Sequence, residues 1–159
     1  MTRRPPRNWI LALGVVLGVA LIGGVAAVVL TGSLGRTDPA RLAVGDCFDV
    51  PTASARIGDL VKRGCGGPHG GEVFHIYEAN DAGSSGYPTD PAWEALVFPV
   101  CDLPFESYTG SPAGERLDIE YRYLVPTADR WAAGDRRVTC FITSPDGAAL
   151  SRSFRAAPP

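Results

Sequence analysis

The sequence predicts an α+β fold: one N-terminal transmembrane helix, then a small disulfide-bonded extracytoplasmic domain with an antiparallel sheet and one main helix that is kinked or split. Three observations support this prediction. An uncharged apolar stretch runs from Trp9 to Leu30, and all four cysteines follow it. Beyond that stretch, segments with strand periodicity outnumber segments with helical periodicity.

The apolar stretch is long enough to cross a bilayer. Its 22 residues would reach roughly 33 Å as a helix, which matches the hydrocarbon core of a membrane. Basic residues next to such a span stay in the cytoplasm. The basic cluster before Trp9 therefore predicts a cytoplasmic N-terminus, with the rest of the chain outside the membrane: Arg3, Arg4 and Arg7.

A cleaved signal peptide is the alternative to an anchor, with small residues at Gly24 to Ala27 as a cleavage site. We favour an uncleaved anchor, because the apolar region of a signal peptide usually runs about 7 to 15 residues. Gly14 and Gly18 have the GxxxG spacing that permits close helix approach. This spacing predicts a homodimer contact within the membrane, although glycine is also common in such helices generally.

The chain divides into five parts: a cytoplasmic basic tail (1–8), the transmembrane helix (9–30), a linker (31–40), one extracytoplasmic domain (41–155) and a disordered tail (156–159). From residue 41 onward, 11 basic side chains oppose 16 acidic ones, a net charge of −5. This balance gives no basic face for nucleic acid, so we expect no nucleic-acid partner.

All four cysteines lie in the part predicted to be outside the membrane: Cys47, Cys65, Cys101 and Cys140. In an oxidising compartment, an even number of cysteines predicts disulfides. Of the three possible connectivities we favour Cys47 with Cys65 and Cys101 with Cys140, and the other two remain open. Two bridges would stabilise a domain that is too small for a large core.

The first half of the domain combines short strands and turns. Residues 42–50 predict a short strand interrupted by a turn at Gly45 and Asp46. Residues 56–65 are polar and poorly patterned, and a glycine-rich turn covers 64–72. Residues 73–78, VFHIYE, predict a strand by their aromatic and branched side chains.

A loop covers residues 80–90, and the main helix follows, with Asp90 as its cap and Pro91 in its first turn. Apolar residues recur at helical spacing and predict its core face: Trp93, Leu96, Val97, Val100 and Cys101. Pro99 and Pro104 remove backbone donors, so we expect a kink or a break before the helix ends near Gly110.

Residues 117–125 alternate and predict a half-exposed strand whose apolar face holds Leu117, Ile119, Tyr121 and Tyr123. After Pro126, a helical turn capped by Thr127 and closed by Gly134 is expected to bury Trp131.

The last strand is expected at residues 136–143, with Val138, Cys140 and Ile142 on one face. The SPDG sequence at 144–147 predicts a turn, and residues 148–154 then complete a hairpin with that strand.

Five short motifs occur in a fixed order: VGDCF at 44–48, CxxPHxxEVF at 65–74, YP at 87–88, CxxxFxxYxG at 101–110 and PxxxxWxxGDRxxxC at 126–140. Together they resemble the septum-formation domain, a family of membrane-anchored extracytoplasmic domains of actinobacteria. The resemblance covers residues 42–140. It implies an association with division septa and no catalytic residues. The residue after the PH pair, often acidic in that family, is Gly70 here.

The CxxPHxxEVF stretch also has the residue types of a metal site. His69, Glu72 and His75 lie within seven residues. By residue type, Cys65, His69 and His75 together with Cys47 would give a zinc ligand set. However, the two glycines after His69 disfavour a helix, and thiolate ligands would require reduced cysteines outside the membrane. We therefore predict no metal and no cofactor, and interpret three residues as a structural or interaction turn that hydrogen-bonds the backbone: Pro68, His69 and Glu72.

His75, Cys140 and Arg152 follow the His, Cys, Arg order of a sortase-like transpeptidase. That chemistry needs a thiolate nucleophile and an oxyanion donor, but the domain is short and an even pairing of cysteines is simpler. We therefore predict a non-catalytic interaction module of the bacterial cell envelope, anchored in the cell membrane, linked to septum formation and bound to an envelope or division protein. The alternative is a sortase-like cysteine transpeptidase or another envelope enzyme.

Overall fold

A computed structural model describes residues 34–50, 60–80 and 86–157. The predicted basic tail, the span from Trp9 to Leu30 and the GxxxG pair at Gly14 and Gly18 lie outside these ranges. None of the helices within them has the length and apolarity needed to cross a bilayer.

The described residues form a six-stranded antiparallel sheet with one long helix, as an α+β fold requires. Along the chain the strands are β1 (Leu34–Thr37), β2 (Cys47–Phe48), β3 (Leu60–Arg63), β4 (Gly71–Glu78), β5 (Glu120–Leu124) and β6 (Arg137–Thr143). Their order in the sheet is β1-β3-β2-β4-β6-β5. The helices are α1 (Asp90–Thr109) and α2 (Ala128–Ala132), and a 3-10 turn covers Pro39–Arg41.

The two longest strands, β4 and β6, confirm the predictions for residues 73–78 and 136–143. β4 and β6 pair over most of their length, with Glu72 opposite Ile142 and Glu78 opposite Arg137. Their branched and aromatic residues suit a sheet that is buried on both faces. Val138, Cys140 and Ile142 join the core cluster that packs with α1, whereas Phe141 belongs to a second cluster with Phe48.

Helix α1 is one continuous element from Asp90 to Thr109, so the predicted break is wrong. Pro99 has no N–H to donate to the carbonyl of Ala95, four residues earlier. Because both residues are exposed, solvent can satisfy this carbonyl without a break in the helix. The N-cap is Thr89 rather than Asp90, and Gly110 ends the helix with a left-handed φ of 76°. The buried residues recur every four positions: Trp93, Val97, Cys101, Phe105 and Thr109.

Both favoured disulfides are present, between Cys47 and Cys65 and between Cys101 and Cys140. The first joins β2 to the turn after β3, and the second joins α1 to β6. Each bridge therefore connects two separate elements, and the second fixes the main helix on the sheet.

Strands β1 and β3 do not follow from the sequence pattern. Leu34–Thr37 falls within the stretch expected to be a linker, yet it pairs with β3. Leu60–Arg63, from the poorly patterned stretch, pairs with both β1 and β2. In the described residues, the folded unit therefore starts by Leu34 instead of residue 41.

Strand β5 starts at Glu120, three residues later than expected. Ile119 is buried, and Tyr121 and Tyr123 pack against the core as predicted. Leu117 is 89% exposed, so its assignment to the apolar face is wrong. It lies before the strand, where no pleat directs its side chain toward the core.

The turn at residues 144–147 forms, with the N–H of Gly147 donating to the Ser144 carbonyl at 3.1 Å. The hairpin after it does not form, because β4 and β5 already occupy both edges of β6. The backbone of Leu150 instead pairs with that of His69. The described part of the expected tail is attached, since the N–H of Ala156 donates to the Tyr108 carbonyl at 2.7 Å.

The short helix α2 confirms its predicted cap and buried residue. The Thr127 hydroxyl accepts from the N–H of Arg130 at 3.4 Å, and Trp131 is buried. The Trp131 ring meets that of Trp93 edge to face, with centroids 5.3 Å apart. This contact ties α2 to the start of α1.

Candidate functional site

The Pro68 to Glu72 turn is held by backbone contacts on two sides. His69 donates to the Leu150 carbonyl at 3.0 Å, and its carbonyl accepts from Leu150 at 2.8 Å. The N–H of Gly70 donates to the Phe48 carbonyl at 2.9 Å, and the Thr143 hydroxyl donates to the Gly70 carbonyl at 2.9 Å. The turn is therefore fixed against β2, β6 and the C-terminal segment, while Pro68 itself is exposed.

Gly70 and Gly71 are needed for close packing. Neither has a positive φ, which is the freedom that glycine in a turn commonly supplies. A Cβ on Gly70 would lie 2.7 Å from the backbone nitrogen of Val50. A Cβ on Gly71 would lie 2.8 Å from the Phe141 ring and 3.0 Å from the Phe48 ring. The turn thus brings its backbone against neighbouring strands where no side chain fits.

The His69 side chain is buried, with only 1% of its surface exposed. Its Nδ1 lies 2.8 Å from the Gly67 carbonyl. A carbonyl can only accept, so Nδ1 carries the hydrogen. Nε2 is buried and has no hydrogen-bond partner among the described residues. His69 closes the turn onto its own backbone, as expected from the sequence.

Glu72 is fully buried on β4 and accepts three hydrogen bonds. Its Oε1 accepts from the hydroxyls of Tyr108 at 2.7 Å and Ser153 at 2.6 Å. Its Oε2 accepts from the N–H of Phe154 at 2.8 Å. A buried carboxylate needs such donors when no cation pairs with it. Glu72 therefore joins β4, α1 and the C-terminal segment through one side chain.

Tyr108 is the residue of α1 that donates a hydrogen bond to the Glu72 carboxylate. Burial, followed by the hydrogen bond to Glu72, raises the pKa of Tyr108 to about 12. The guanidinium of Arg155 lies 5.1 Å from the centre of the Tyr108 ring. At neutral pH the phenol is thus held as a donor, which is the form that Glu72 requires.

Among the described residues, one group of three side chains has the types and proximity of a metal-ligand set, and it differs from the set considered in the sequence. The sulfurs of Cys47 and Cys65 and a carboxylate oxygen of Glu72 lie within 4.8 Å of one another. Both sulfurs belong to a disulfide, so they offer no thiolates in this state. His69 and His75 are not part of the group.

The sheet brings two residues of the transpeptidase alternative together. His75 lies directly opposite Cys140 on β4 and β6, and burial lowers the pKa of His75. Cys140 is buried and bridged to Cys101, so nucleophilic chemistry there would first require reduction of that bridge. Arg152 is exposed; its guanidinium stacks on the Phe154 ring and lies 3.8 Å from Asp118.

Open grooves on the surface of the described domain include one beside the turn and one beside α1. One, of about 500 Å³, runs along the turn and is bordered by the paired side chains of Asp49 and Arg63. The other, of about 410 Å³, lies between α1, β5 and the segment before it, and is mainly apolar. Phe98 and Leu117, on the border of the second groove, are 49% and 89% exposed.

Three of the four groups that meet around the Glu72 carboxylate were not predicted from the sequence. Tyr108 lies in the CxxxFxxYxG motif, and its place on α1 put it near the sheet, but nothing in the sequence indicated Glu72 as its partner. Ser153 and the Phe154 backbone come from a segment expected to form a hairpin strand. Their distance from Glu72 along the chain, 81 and 82 residues, exceeds what local pattern can reveal.

The chain was compared with known families. The family described as Septum formation matches residues 26–157, which include all four cysteines, Glu72 and Tyr108. No curated protein and no solved structure matches the chain significantly. The matched range covers most of the 159 residues, and the chain therefore belongs to the septum-formation family.

Proposed function

We propose that this protein is a membrane-anchored, extracytoplasmic and non-catalytic interaction module that binds an envelope or division protein during septum formation. Membership of the septum-formation family supports a role in cell division or the cell envelope.

The observation that carries the proposal is that all four cysteines are used in two disulfides. Such bridges persist in oxidising compartments and are rare where thiols are kept reduced. Three of the four cysteines are buried within the core: Cys47, Cys101 and Cys140. A fold with this core depends on bridges that form outside the cytoplasm.

The N-terminal sequence supports the same compartment. An uncharged span from Trp9 to Leu30 follows a cluster of arginines, which favours a single pass with the N-terminus inside. The domain then faces outward.

A binding role is supported by how the polar groups at the centre are used. Glu72 accepts hydrogen bonds from three donors, so most of its acceptor capacity is used in holding three segments together. His69 is buried and bonded to its own turn. The carboxylate and the imidazole thus stabilise the fold. Phe98 and Leu117, on the border of the second groove, are exposed and can contact another protein.

Reporter fusions test the compartment. An enzyme that is active only outside the cytoplasm, fused after Pro159 of the full chain, should be active. Reversing the basic cluster in a matched variant, Arg3→Glu with Arg4→Glu and Arg7→Glu, should reduce that activity strongly. Activity of a cytoplasm-specific reporter at the same site in the wild-type fusion would refute the proposal.

A second experiment tests the absence of catalysis. Full-length protein in detergent should not cleave or join envelope peptides or glycan fragments beyond the level of a Cys101→Ala, Cys140→Ala variant. Turnover by the wild-type protein that disappears in this variant, together with retained folding of the variant, would instead identify an enzyme.

A further inference from the structure

Strand β5 forms one edge of the sheet. It pairs with β6 on its inner side, and no other described strand lies on its outer side. The backbone groups on that outer side are available to another extended strand. Such edges are sites of aggregation and also of specific binding by strand addition.

The charges on β5 alternate in sign. Glu120 and Arg122 share one face and pair at 2.8 Å; the Arg122 side chain is 60% accessible and the Glu120 side chain 38%. Tyr121 lies between them on the other face, where it packs with the core beneath α1. The edge thus presents the order Glu, Tyr, Arg.

We propose that two copies of this chain associate edge to edge through antiparallel pairing of β5, with Tyr121 opposite Tyr121 of the second copy. In this register, Glu120 faces Arg122 of the second copy, and Arg122 faces its Glu120. Directly opposite residues of an antiparallel pair lie on the same face, so both ion pairs can form. The arrangement has twofold symmetry, as most homodimers do.

Charge selects this register over its neighbour. Shifting the pairing so that Arg122 faces Arg122 of the second copy would oppose like charges and set Glu120 against the apolar Leu124. Like charges directly opposite each other destabilise a strand pair. Edges that avoid pairing often carry lysines or inward-pointing charges; an edge with one charge of each sign about a central tyrosine is instead complementary to itself.

The apolar groove lies beside the same edge. Its lining includes Glu120 and Tyr121 of β5 together with Phe98 and Leu117, and the last two are 49% and 89% exposed. A second copy that pairs with β5 comes to lie next to this groove and reduces its exposure. Apolar burial then adds to the backbone hydrogen bonds and the two ion pairs.

A charge swap between two differently tagged full-length chains tests the pairing. Wild-type chains co-expressed in one membrane should capture each other after gentle detergent extraction. Glu120→Arg alone or Arg122→Glu alone should reduce capture of its own kind by at least about tenfold, because every cross-strand pair becomes repulsive. Mixing the Glu120→Arg chain with the Arg122→Glu chain should restore capture, because each arginine then faces a glutamate.

All of these chains have the same N-terminal span. A contact through Gly14 and Gly18 therefore cannot produce loss of capture in each variant and recovery in the mixture. Arg122 is exposed and Glu120 is partly accessible, and unchanged thermal unfolding of each variant serves as the folding control. Absence of wild-type capture, capture that ignores both substitutions, or loss without rescue in the mixture would each overturn the proposal. The last result would favour an unrelated extended peptide as the occupant of the edge.

Crosslinking gives a charge-independent check. Tyr121→Cys chains in membranes should form an oxidised dimer, since opposite Cβ atoms lie about 5 Å apart. Leu117→Cys is the control: Leu117 lies before the strand, and the proposed register sets it toward residue 125 of the second copy, so its two copies do not face each other. Equal crosslinking of the two variants would contradict the register.

Discussion

The hydroxyl of Tyr108 on α1 lies 2.7 Å from the carboxylate of Glu72 on β4, although the two residues are 36 positions apart. No lysine or arginine forms an ion pair with Glu72 in the part of the chain that the structure describes. Hydrogen bonds from Tyr108, Ser153 and the Phe154 backbone take the place of a cation. These hydrogen bonds hold the Glu72 carboxylate inside the domain. Its position therefore depends on β4, α1 and the C-terminal segment together.

Replacing Tyr108 by phenylalanine should destabilise the domain by about 1.5–3 kcal/mol, because a buried charged acceptor loses one of its donors. Tyr87→Phe is the matched control. Its hydroxyl donates to the neutral Pro126 carbonyl and the residue is exposed, so the expected loss is below about 1 kcal/mol. Urea unfolding of both variants measures their free energies of unfolding. Equal losses would show that the hydrogen bond to Glu72 stabilises the domain no more than an exposed one does.

Alkaline pH should weaken the domain through the same tyrosine. The pKa of Tyr108 is raised to about 12 in the folded protein, against about 10 in an unfolded chain. Because the folded value is the higher one, the stabilisation is complete below about pH 10 and is lost as the pH rises toward 12. The free energy of unfolding should therefore fall over this range less steeply in Tyr108→Phe than in wild type, and parallel curves would contradict the assignment.

Gly71→Ala should destabilise the domain by about 1–3 kcal/mol, because the added methyl group must displace packed aromatic rings. The new Cβ would lie 2.8 Å from the Phe141 ring. Gly67→Ala, in the same turn, is the control, since its Cβ would meet nothing closer than the Gly64 carbonyl at 3.9 Å. Thermal unfolding that ranks Gly67→Ala as the less stable variant would refute the close-packing account.

The two bridges should differ in their contribution to stability. Cysteines 101 and 140 are 39 residues apart, and cysteines 47 and 65 are 18 apart. By loop-closure entropy, replacing the longer-range pair with alanines should cost about 4 kcal/mol and the shorter-range pair about 3 kcal/mol. The longer-range pair also fixes α1 on the sheet. Denaturant unfolding of the two double variants checks this order, and the reverse order would contradict it.

Elements with a strong local pattern were predicted from the sequence. β4, β6 and α2 follow their apolar periodicity, and Thr127 and Gly110 mark helix ends through their own chemistry. β1 and β3 were missed, because each has four residues and is defined by pairing with distant strands. The failed hairpin after residue 147 has the same cause, since β5 occupies the edge that it would have used.

The candidate site was predicted only in part. The motifs contain both Glu72 and Tyr108, and the turn around His69 was expected to bond its own backbone, which it does. The contact of Glu72 with Ser153 and Phe154 depends on how the C-terminal segment packs against β4 and α1. Local sequence pattern does not predict such contacts, because tertiary packing determines them.

Counting thiols on the full-length protein, taken directly from cells, tests the central claim most directly. The protein would be denatured in the presence of an alkylating reagent, without reduction, and its mass determined before and after a second alkylation that follows reduction. A domain that works outside the cytoplasm with both bridges closed should take up no reagent at first and one equivalent on each of the four cysteines afterwards. Reagent on Cys140, or on Cys47 and Cys65, before reduction would contradict the account.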